Sequence, residues 1–378
     1  MIRTPPIGEM RQRIGRKWSD YPDDVIPAWV ADMDFDVAPG ISATIGEAIM
    51  LGDFGYGPVA ARTGVPEAFA AWAARRWNWR FDPEDVKLMP EIISGVDNVL
   101  DAFTRSGDAI LLHTPLYPSL TKAVRLAGRR PIEVEMADGE IDVAKMAEAA
   151  AREGVRMILL CHPHNPWGRR FRPDHLEAIA ALAERRDLVI LSDEVHADLS
   201  YEGHPHIPMA MIAPERTVTL NAPSKAFNMA GLRLAVCVIP PALRAPLAAL
   251  SPNRWTAFSA LGIRAALAAW SVEGEEWLNA CMAQLAANRS RLVELLAEHC
   301  PEIRYHEPDA GYLAWLDCRA LGFEDPAEFF LKEARVALSS GPSFGASGAG
   351  FARLNFATSP EILATIIEKI GKAVTASS

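Results

Sequence analysis

The sequence predicts an α/β protein with a large domain, built on a mostly parallel sheet covered by helices, and a smaller α+β domain. Short apolar runs alternate with amphipathic helical patterns from residue 109 to 240, as expected for parallel strands joined by helices. A chain of 378 residues also exceeds the usual size of a single core. We therefore expect an N-terminal arm (1–40), a large domain (41–285) and a small domain (286–378).

The composition favours a soluble cytoplasmic enzyme. The net charge is −10 with both signs mixed along the chain, which argues against nucleic acid or a membrane surface as the main partner. The N-terminus lacks the apolar stretch of a signal peptide, and no run is long enough to span a membrane. Five scattered cysteines without a C-x-x-C pair predict neither a disulfide framework nor a zinc site.

The first elements of the large domain are an aromatic turn and two helices. Tyr56 lies between two glycines in the turn 54–57, and Pro66 opens the first helix. The segment 92–103 predicts a turn that leads into an amphipathic helix, with apolar residues at helical spacing from residue 96 to 103 and Ser94 as the N-cap. Exposed amides at such a helix start bind phosphate well, so Ser94, Gly95 and Val96 are candidates for a phosphate site.

The next strands end in loops that carry polar and aromatic residues. The apolar run 109–112 is followed by a proline-bounded loop with Tyr117, and the run 156–161 leads to a loop with Asn165. A helix is predicted from Asp174 to about Arg186. The histidine pairs 162/164 and 204/206 each bracket a proline and have no carboxylate or cysteine at a ligand spacing, so we assign them no metal.

Two segments form the predicted chemical centre, 188–198 and 217–233. Each begins with a buried strand and ends in polar residues, Asp193 in the first and Lys225 in the second. In open α/β sheets ligands bind beyond the carboxyl ends of the strands, so both side chains could face one ligand. Lys225 alone among eight lysines follows such a strand, and we expect the other seven on the solvated surface.

Burial favours the neutral amine that a Schiff-base lysine requires, and a buried carboxylate can hold the proton on a pyridine nitrogen. A magnesium-binding carboxylate is the competing interpretation of Asp193. It requires an upstream G-x-x-x-x-G-K-[ST], but the only Gly-Lys pair is Gly371-Lys372, near the C-terminus.

The second domain supplies one further candidate. Strand-like runs alternate with a helix around Pro326 to Ala334, and the run 351–356 places Arg353 on the same face as Phe351 and Asn355. A guanidinium fork suits the α-carboxylate of an amino acid.

The motifs 164–168 (His-Asn-Pro-Trp-Gly), 192–196 (Ser-Asp-Glu-Val-His) and 222–233 (Ala-Pro-Ser-Lys-Ala-Phe-Asn-Met-Ala-Gly-Leu-Arg) carry a family resemblance. The sequence resembles fold-type I pyridoxal-phosphate enzymes, specifically the C–S lyase (cystathionine β-lyase-like) branch of the class I/II aminotransferase family. The resemblance runs from the segment 29–35 (Trp-Val-Ala-Asp-Met-Asp-Phe) to 353–357 (Arg-Leu-Asn-Phe-Ala). It implies a three-layer large domain that binds pyridoxal 5'-phosphate.

The resemblance also implies roles for single residues. Lys225 carries the cofactor and acts as general base, Asp193 faces the ring nitrogen, Tyr117 stacks on the ring, and Asn165 donates to the phenolic oxygen. Arg353 binds the substrate carboxylate, with Asn165 beside it. The cofactor phosphate is assigned to Ser94, Gly95, Val96, Ser224, Arg233 and Tyr56 of a neighbouring subunit, which implies a homodimer with a shared site. Ala222 replaces a hydroxyl common among relatives, so Ser224 and Arg233 must contribute more.

The same resemblance favours a carbon–sulfur β-lyase that forms pyruvate, ammonia and a thiol. His196 supports this choice, because transaminases of the superfamily commonly carry a tyrosine three residues after the aspartate. An aminotransferase is the main alternative. A regulator that only senses an effector is the other, although only about forty residues precede the core and leave no room for a DNA-binding module. Trp167 is unusually bulky and leaves the pocket size, and so the preferred thioether, open.

Overall fold

The computed structural model describes residues 2–152 and 154–377, which form two compact units. Unit 1 contains residues 1–36, 165–169 and 279–378, and unit 2 contains residues 37–164 and 170–278. The sequence placed the boundaries at residues 40 and 285 and did not anticipate that the short segment 165–169 belongs to unit 1. A segment this short carries no composition or periodicity that could signal its assignment.

The strands and helices alternate as the sequence predicted for an α/β protein. The strands are β1 (Ile26–Pro27), β2 (Val86–Met89), β3 (Ala109–Thr114), β4 (Arg130–Glu135), β5 (Val155–Cys161), β6 (Val189–Asp193), β7 (Thr217–Asn221), β8 (Ala235–Val238), β9 (Arg304–Tyr305), β10 (Leu313–Asp317), β11 (Val336–Ala337), β12 (Ser339–Ser340) and β13 (Phe351–Asn355). The α-helices are α1 (Ile7–Met10), α2 (Arg16–Ser19), α3 (Pro39–Leu51), α4 (Val65–Trp77), α5 (Ile92–Phe103), α6 (Pro118–Leu126), α7 (Val143–Arg152), α8 (Pro173–Arg186), α9 (Met209–Ile212), α10 (Arg244–Ala248), α11 (Ala260–Ala269), α12 (Val272–His299), α13 (Pro326–Phe329) and α14 (Pro360–Ser377).

Unit 2 is organised around one large, mostly parallel sheet. Among the described residues its seven strands have the order β2-β8-β7-β6-β5-β3-β4. The strands from β7 to β4 run parallel, and β8 is antiparallel to both β7 and β2. Strands β3, β5 and β7 are buried along their whole length apart from one exposed position in β5, which explains why apolar and β-branched residues predominate in them. The carboxyl ends of β5, β6 and β7 therefore lie side by side.

Unit 1 contains a small antiparallel sheet and several helices. In the described part of the unit the sheet has the order β12-β13-β10-β9, while β1 of the arm pairs in parallel with β11. Across the sheet Arg353 of β13 lies opposite Ser339 of β12 and Trp315 of β10. Side chains directly opposite each other share one face of a sheet, so this register decides which groups surround Arg353.

Lys17 of unit 1 corrects the expectation that every lysine except Lys225 lies on the surface. Only 3% of Lys17 is exposed, and its Nζ lies 2.9 Å from Asp34 Oδ2. Trp18 Nε1 donates to the other carboxylate oxygen of Asp34 at 2.7 Å. A buried ammonium is tolerated here because it has a carboxylate partner, and that partner lies seventeen residues further along an irregular arm, where sequence periodicity cannot reveal it.

The five cysteines (Cys161, Cys237, Cys281, Cys300 and Cys318) are all buried thiols. None of the helices within residues 2–152 and 154–377 combines the length and the apolar character needed to cross a bilayer.

Candidate active site

Asp193 is the last residue of β6, and 5% of it is exposed. Its Oδ1 accepts a hydrogen bond from the backbone N–H of Val195 at 3.2 Å. Burial raises the pKa of Asp193 to about 7, while the positive charge of Lys225 acts in the opposite direction. The structure thus brings the predicted carboxylate and lysine within electrostatic reach of each other at the strand ends of unit 2.

Lys225 lies four residues after β7 in a tight turn. The N–H of Phe227 donates to Pro223 O at 2.9 Å, and the N–H of Met229 donates to Ser224 O at 3.0 Å. Phe227 is fully buried and packs against the rings of Trp72 and Trp277, with centroid distances of 6.0 and 5.8 Å. The turn that carries Lys225 and Ser224 is therefore anchored by an aromatic core contact, and the lysine itself is only partly buried.

A pair that the sequence analysis missed lies next to Asp193. Glu194 Oε2 and His206 Nε2 are 2.7 Å apart, and Glu194 Oε1 accepts from Ser192 Oγ at 2.8 Å and from the N–H of Met209 at 3.0 Å. Burial raises the pKa of Glu194 to about 7 and lowers the pKa of His206 to about 3. The negative charge of Glu194 also acts on its neighbour, because it raises the pKa of Asp193.

The helix assigned to phosphate binding begins earlier than predicted. Helix α5 has Glu91 as its N-cap, so the expectation that Ser94 caps it is wrong. Ile92 and Ile93 pack against the core as the first two residues of the helix. Ser94 therefore lies within the helix and does not precede it. The first-turn amides still point out of the helix end, as an anion site requires.

Gly95 and Val96 are buried in the core of unit 2. A Cβ on Gly95 would come within 2.6 Å of Met89 Sδ and 2.9 Å of Leu220 Cδ2, so glycine permits a close approach of α5 to the sheet. The structure gives both residues a packing role, whereas Ser94 remains partly accessible.

Arg233 lies at the same helix end, because its Nη2 is 2.7 Å from Glu91 Oε2. Both side chains are about half exposed, and the backbone of Arg233 has a φ of 52°. The sequence analysis predicted Arg233 as a phosphate ligand but did not foresee that a carboxylate would pair with it. An ion pair between residues 142 positions apart leaves no local signal in the sequence.

Three further predicted residues lie in unit 2. His196 is buried in the turn after β6, Tyr117 precedes α6 and is partly exposed, and Tyr56 is fully exposed. Tyr56 belongs to a run of exposed apolar side chains that includes Met50, Leu51, Phe54 and Val59.

Unit 1 holds the predicted carboxylate site. Arg353 is 5% exposed, and its Nη1 donates to Asn165 Oδ1 at 2.9 Å. This bond turns the amide NH₂ of Asn165 away from the guanidinium. Arg353 Nη2 donates to Trp29 O and to Ser339 Oγ, both at 3.0 Å. The structure thus brings Arg353 and Asn165 together, and it adds Trp29 and Ser339, which the sequence analysis did not assign.

Trp167 packs edge-on against Trp315 and Phe351 of the small sheet, with centroid distances of 6.5 and 5.9 Å. Its neighbour Gly168 has a φ of 67°, and a Cβ there would lie 2.3 Å from Pro308 Cβ. The bulky residue noted in the sequence is therefore part of an aromatic cluster that holds the segment with Asn165 in place.

The similarity of the chain to known proteins extends over nearly its full length. A family model described as aminotransferase class I and II matches residues 19–370. The cystathionine β-lyase of Corynebacterium glutamicum is 32% identical, and the alignment covers 99% of this chain and 100% of that protein. A structure from Corynebacterium diphtheriae, described as a candidate PLP-dependent β-cystathionase, has a TM-score of 0.94 at 34% identity and covers 99% of both chains. The PLP-bound C–S lyase of Staphylococcus hominis has a TM-score of 0.93 at 26% identity over 99% of both chains.

Proposed function

The chain belongs to the class I and II aminotransferase family, and from that premise we propose that it is a pyridoxal-phosphate-dependent carbon–sulfur β-lyase. It releases pyruvate, ammonia and a thiol from an S-substituted cysteine such as L-cystathionine. The observation that carries this proposal is the full-length similarity to a named cystathionine β-lyase and to C–S lyase structures.

The residues at the strand ends of unit 2 fit the cofactor. A buried carboxylate whose pKa is raised to about 7 suits a cationic ring N–H, which Asp193 would hold in its protonated form. Lys225 would supply the amine that holds the cofactor, and Tyr117 and His196 would complete the ring site. Ser94, Ser224, Arg233 and the amides of the first turn of α5, which ends at Gly95, would hold the phosphate, and Val96 lies one residue beyond that turn. When bound, pyridoxal phosphate draws electrons away from the substrate's α-carbon and makes its proton easier to remove.

The protein's own groups then bind the substrate and move its protons. Arg353 and Asn165 hold the α-carboxylate and thereby fix the orientation of the Cα–H bond. Lys225 Nζ takes the proton from the α-carbon, and the bond between Cβ and sulfur breaks with its electron pair on the thiolate. The thiolate gains a proton and leaves as a thiol, and water converts the remaining three carbons into pyruvate and ammonia.

The test is to incubate the purified holoenzyme with L-cystathionine and no keto acid. We expect pyruvate, ammonia and free thiol to accumulate in equal amounts over many turnovers. An aminotransferase would stop after about one equivalent and resume only when a keto acid is added; that result would overturn the proposal. Cofactor binding without release of any product would instead favour a non-catalytic regulator that binds pyridoxal phosphate.

We also propose a cytoplasmic homodimer with a shared active site. The exposed apolar run around Tyr56 suits an interface with a second copy, and five buried thiols suit a reducing compartment. Mixed dimers of Tyr56→Phe and Lys225→Ala chains should regain part of the activity if each site draws on both chains. No recovery after verified subunit exchange would contradict the shared site.

A further inference from the structure

The guanidinium of Arg353 is held by neutral oxygen acceptors. Nη2 donates to Trp29 O and to Ser339 Oγ, each at 3.0 Å, and Nη1 donates to Asn165 Oδ1 at 2.9 Å. The ring centroid of Phe344 lies 4.9 Å from Arg353 Cζ and adds a cation–π contact. A carbonyl, a hydroxyl and an amide orient the fork without adding a negative charge to it.

The hydroxyl of Ser339 connects two of these partners. Ser339 Oγ donates its single hydrogen to Trp29 O at 2.6 Å, so it presents a lone pair to Arg353 Nη2. Ser339, Trp29 O and Arg353 Nη2 thus form a closed triangle. Because each side of the triangle restricts the other two, the guanidinium has little freedom to rotate.

The scaffold under the triangle is also fixed. Ser339 lies opposite Arg353 in the pairing of β12 with β13, which sets their separation. The carbonyls that follow Trp29 O are bound as well. Asn355 Nδ2 donates to Val30 O at 2.7 Å and to Asp32 O at 2.6 Å, and Tyr312 OH donates to Ala31 O at 2.9 Å. Asn355 of β13 and Tyr312, the residue before β10, therefore hold the arm segment that supplies the Trp29 carbonyl.

We propose that Ser339 is a positioning residue that holds Arg353, through the Trp29 carbonyl, in the orientation that binds the substrate α-carboxylate. This inference rests on the proposed function, in which Arg353 binds that carboxylate. A long arginine side chain loses rotational freedom when it binds a ligand, and the triangle imposes this restriction before the substrate arrives. Loss of the hydroxyl removes an acceptor from Nη2 and lets the fork turn.

The test compares S-ethyl-L-cysteine with its α-carboxamide, which lacks the carboxylate charge. In Ser339→Ala we expect KM for the acid to rise about tenfold with kcat within about twofold of the wild type, because the lost interaction contributes equally to ground and transition states. The carboxamide should react with unchanged kcat/KM. The preference of the enzyme for the acid over the amide should therefore fall about tenfold.

Two variants control for indirect effects. Ser339→Thr keeps the hydroxyl and should retain the preference for the acid to within about twofold. Ser343→Ala removes an exposed hydroxyl four residues further on, which donates to Ser340 O, and should change neither substrate. If Ser339→Ala lowers kcat/KM equally for the acid and the carboxamide, or changes kcat/KM for neither, the preference for the acid is unchanged and the positioning role is wrong. If the wild type releases no thiol from L-cystathionine or from S-ethyl-L-cysteine, the proposed function fails first.

Discussion

The two arginines that we assign to anions, Arg353 in unit 1 and Arg233 in unit 2, have contrasting surroundings. Arg353 is almost fully buried and donates to neutral oxygens, whereas Arg233 is half exposed and pairs with the carboxylate of Glu91 at 2.7 Å. Neutral acceptors orient a guanidinium and leave its charge in place, but a carboxylate offsets that charge. A buried arginine that neutral acceptors hold in a fixed orientation should bind its anion strongly. An exposed arginine that is already paired with a carboxylate should contribute less to anion binding.

The largest effect is expected for Arg353→Lys. Lysine keeps the charge but loses the planar fork, so kcat/KM for L-cystathionine should fall about 10²-fold, as expected for the loss of a charged hydrogen-bond pair. The affinity for pyridoxal phosphate should stay within about twofold of the wild type, measured by absorbance titration of the cofactor-free protein. If Arg353→Lys had full activity, the fixed orientation of the planar guanidinium would make no contribution to catalysis or substrate binding.

A smaller effect is expected for Arg233→Gln. Loss of one exposed cation should weaken pyridoxal phosphate binding only about tenfold, because in the proposed site other donors at the α5 helix end would still hold the phosphate. With saturating cofactor, KM for L-cystathionine should not change. A tenfold rise in that KM with unchanged cofactor affinity would mean that Arg233 contacts the substrate and not the phosphate. The contrast between the two arginines would then be wrong.

The smallest effect is expected for Glu91→Gln. In the proposed phosphate site Glu91 would compete with the phosphate for Arg233, so the neutral amide should tighten pyridoxal phosphate binding about threefold, within the range of partly exposed ion pairs. Glu133→Gln is the matched control, because Glu133 forms an exposed pair with Arg125 at 2.7 Å elsewhere in unit 2. Weaker binding in Glu91→Gln would mean that Glu91 supports Arg233 in place of competing with it.

The sequence predicted those parts of the fold and site that depend on local patterns. Short segments rich in apolar and β-branched residues predicted the buried strands β5, β6 and β7, and polar residues at their ends placed Asp193 and Lys225 at the strand ends. The family assignment made from short motifs is confirmed by the match over residues 19–370. Such features are visible because burial, strand length and motif spacing are each encoded in adjacent residues.

The sequence could not predict contacts between distant segments. The facing of Ser339 and Arg353 depends on strand register, and the Glu91–Arg233 and Lys17–Asp34 pairs depend on how irregular segments fold. The prediction that Ser94 is the N-cap of α5 was wrong for a similar reason. A serine before an apolar pattern is a typical N-cap, but the packing of Ile92 and Ile93 on the core extends the helix past it.

The buried cysteines have a consequence for an enzyme whose proposed product is a thiol. Burial raises the pKa of Cys281 and Cys300 to about 12 and also raises that of Cys237 and Cys318. The thiolate is the form that attacks a disulfide, so these side chains are poor partners in thiol–disulfide exchange. Disulfides formed when the released thiol oxidises should leave the protein unmodified, and turnover should proceed equally well in a reduced or an oxidised pool of product.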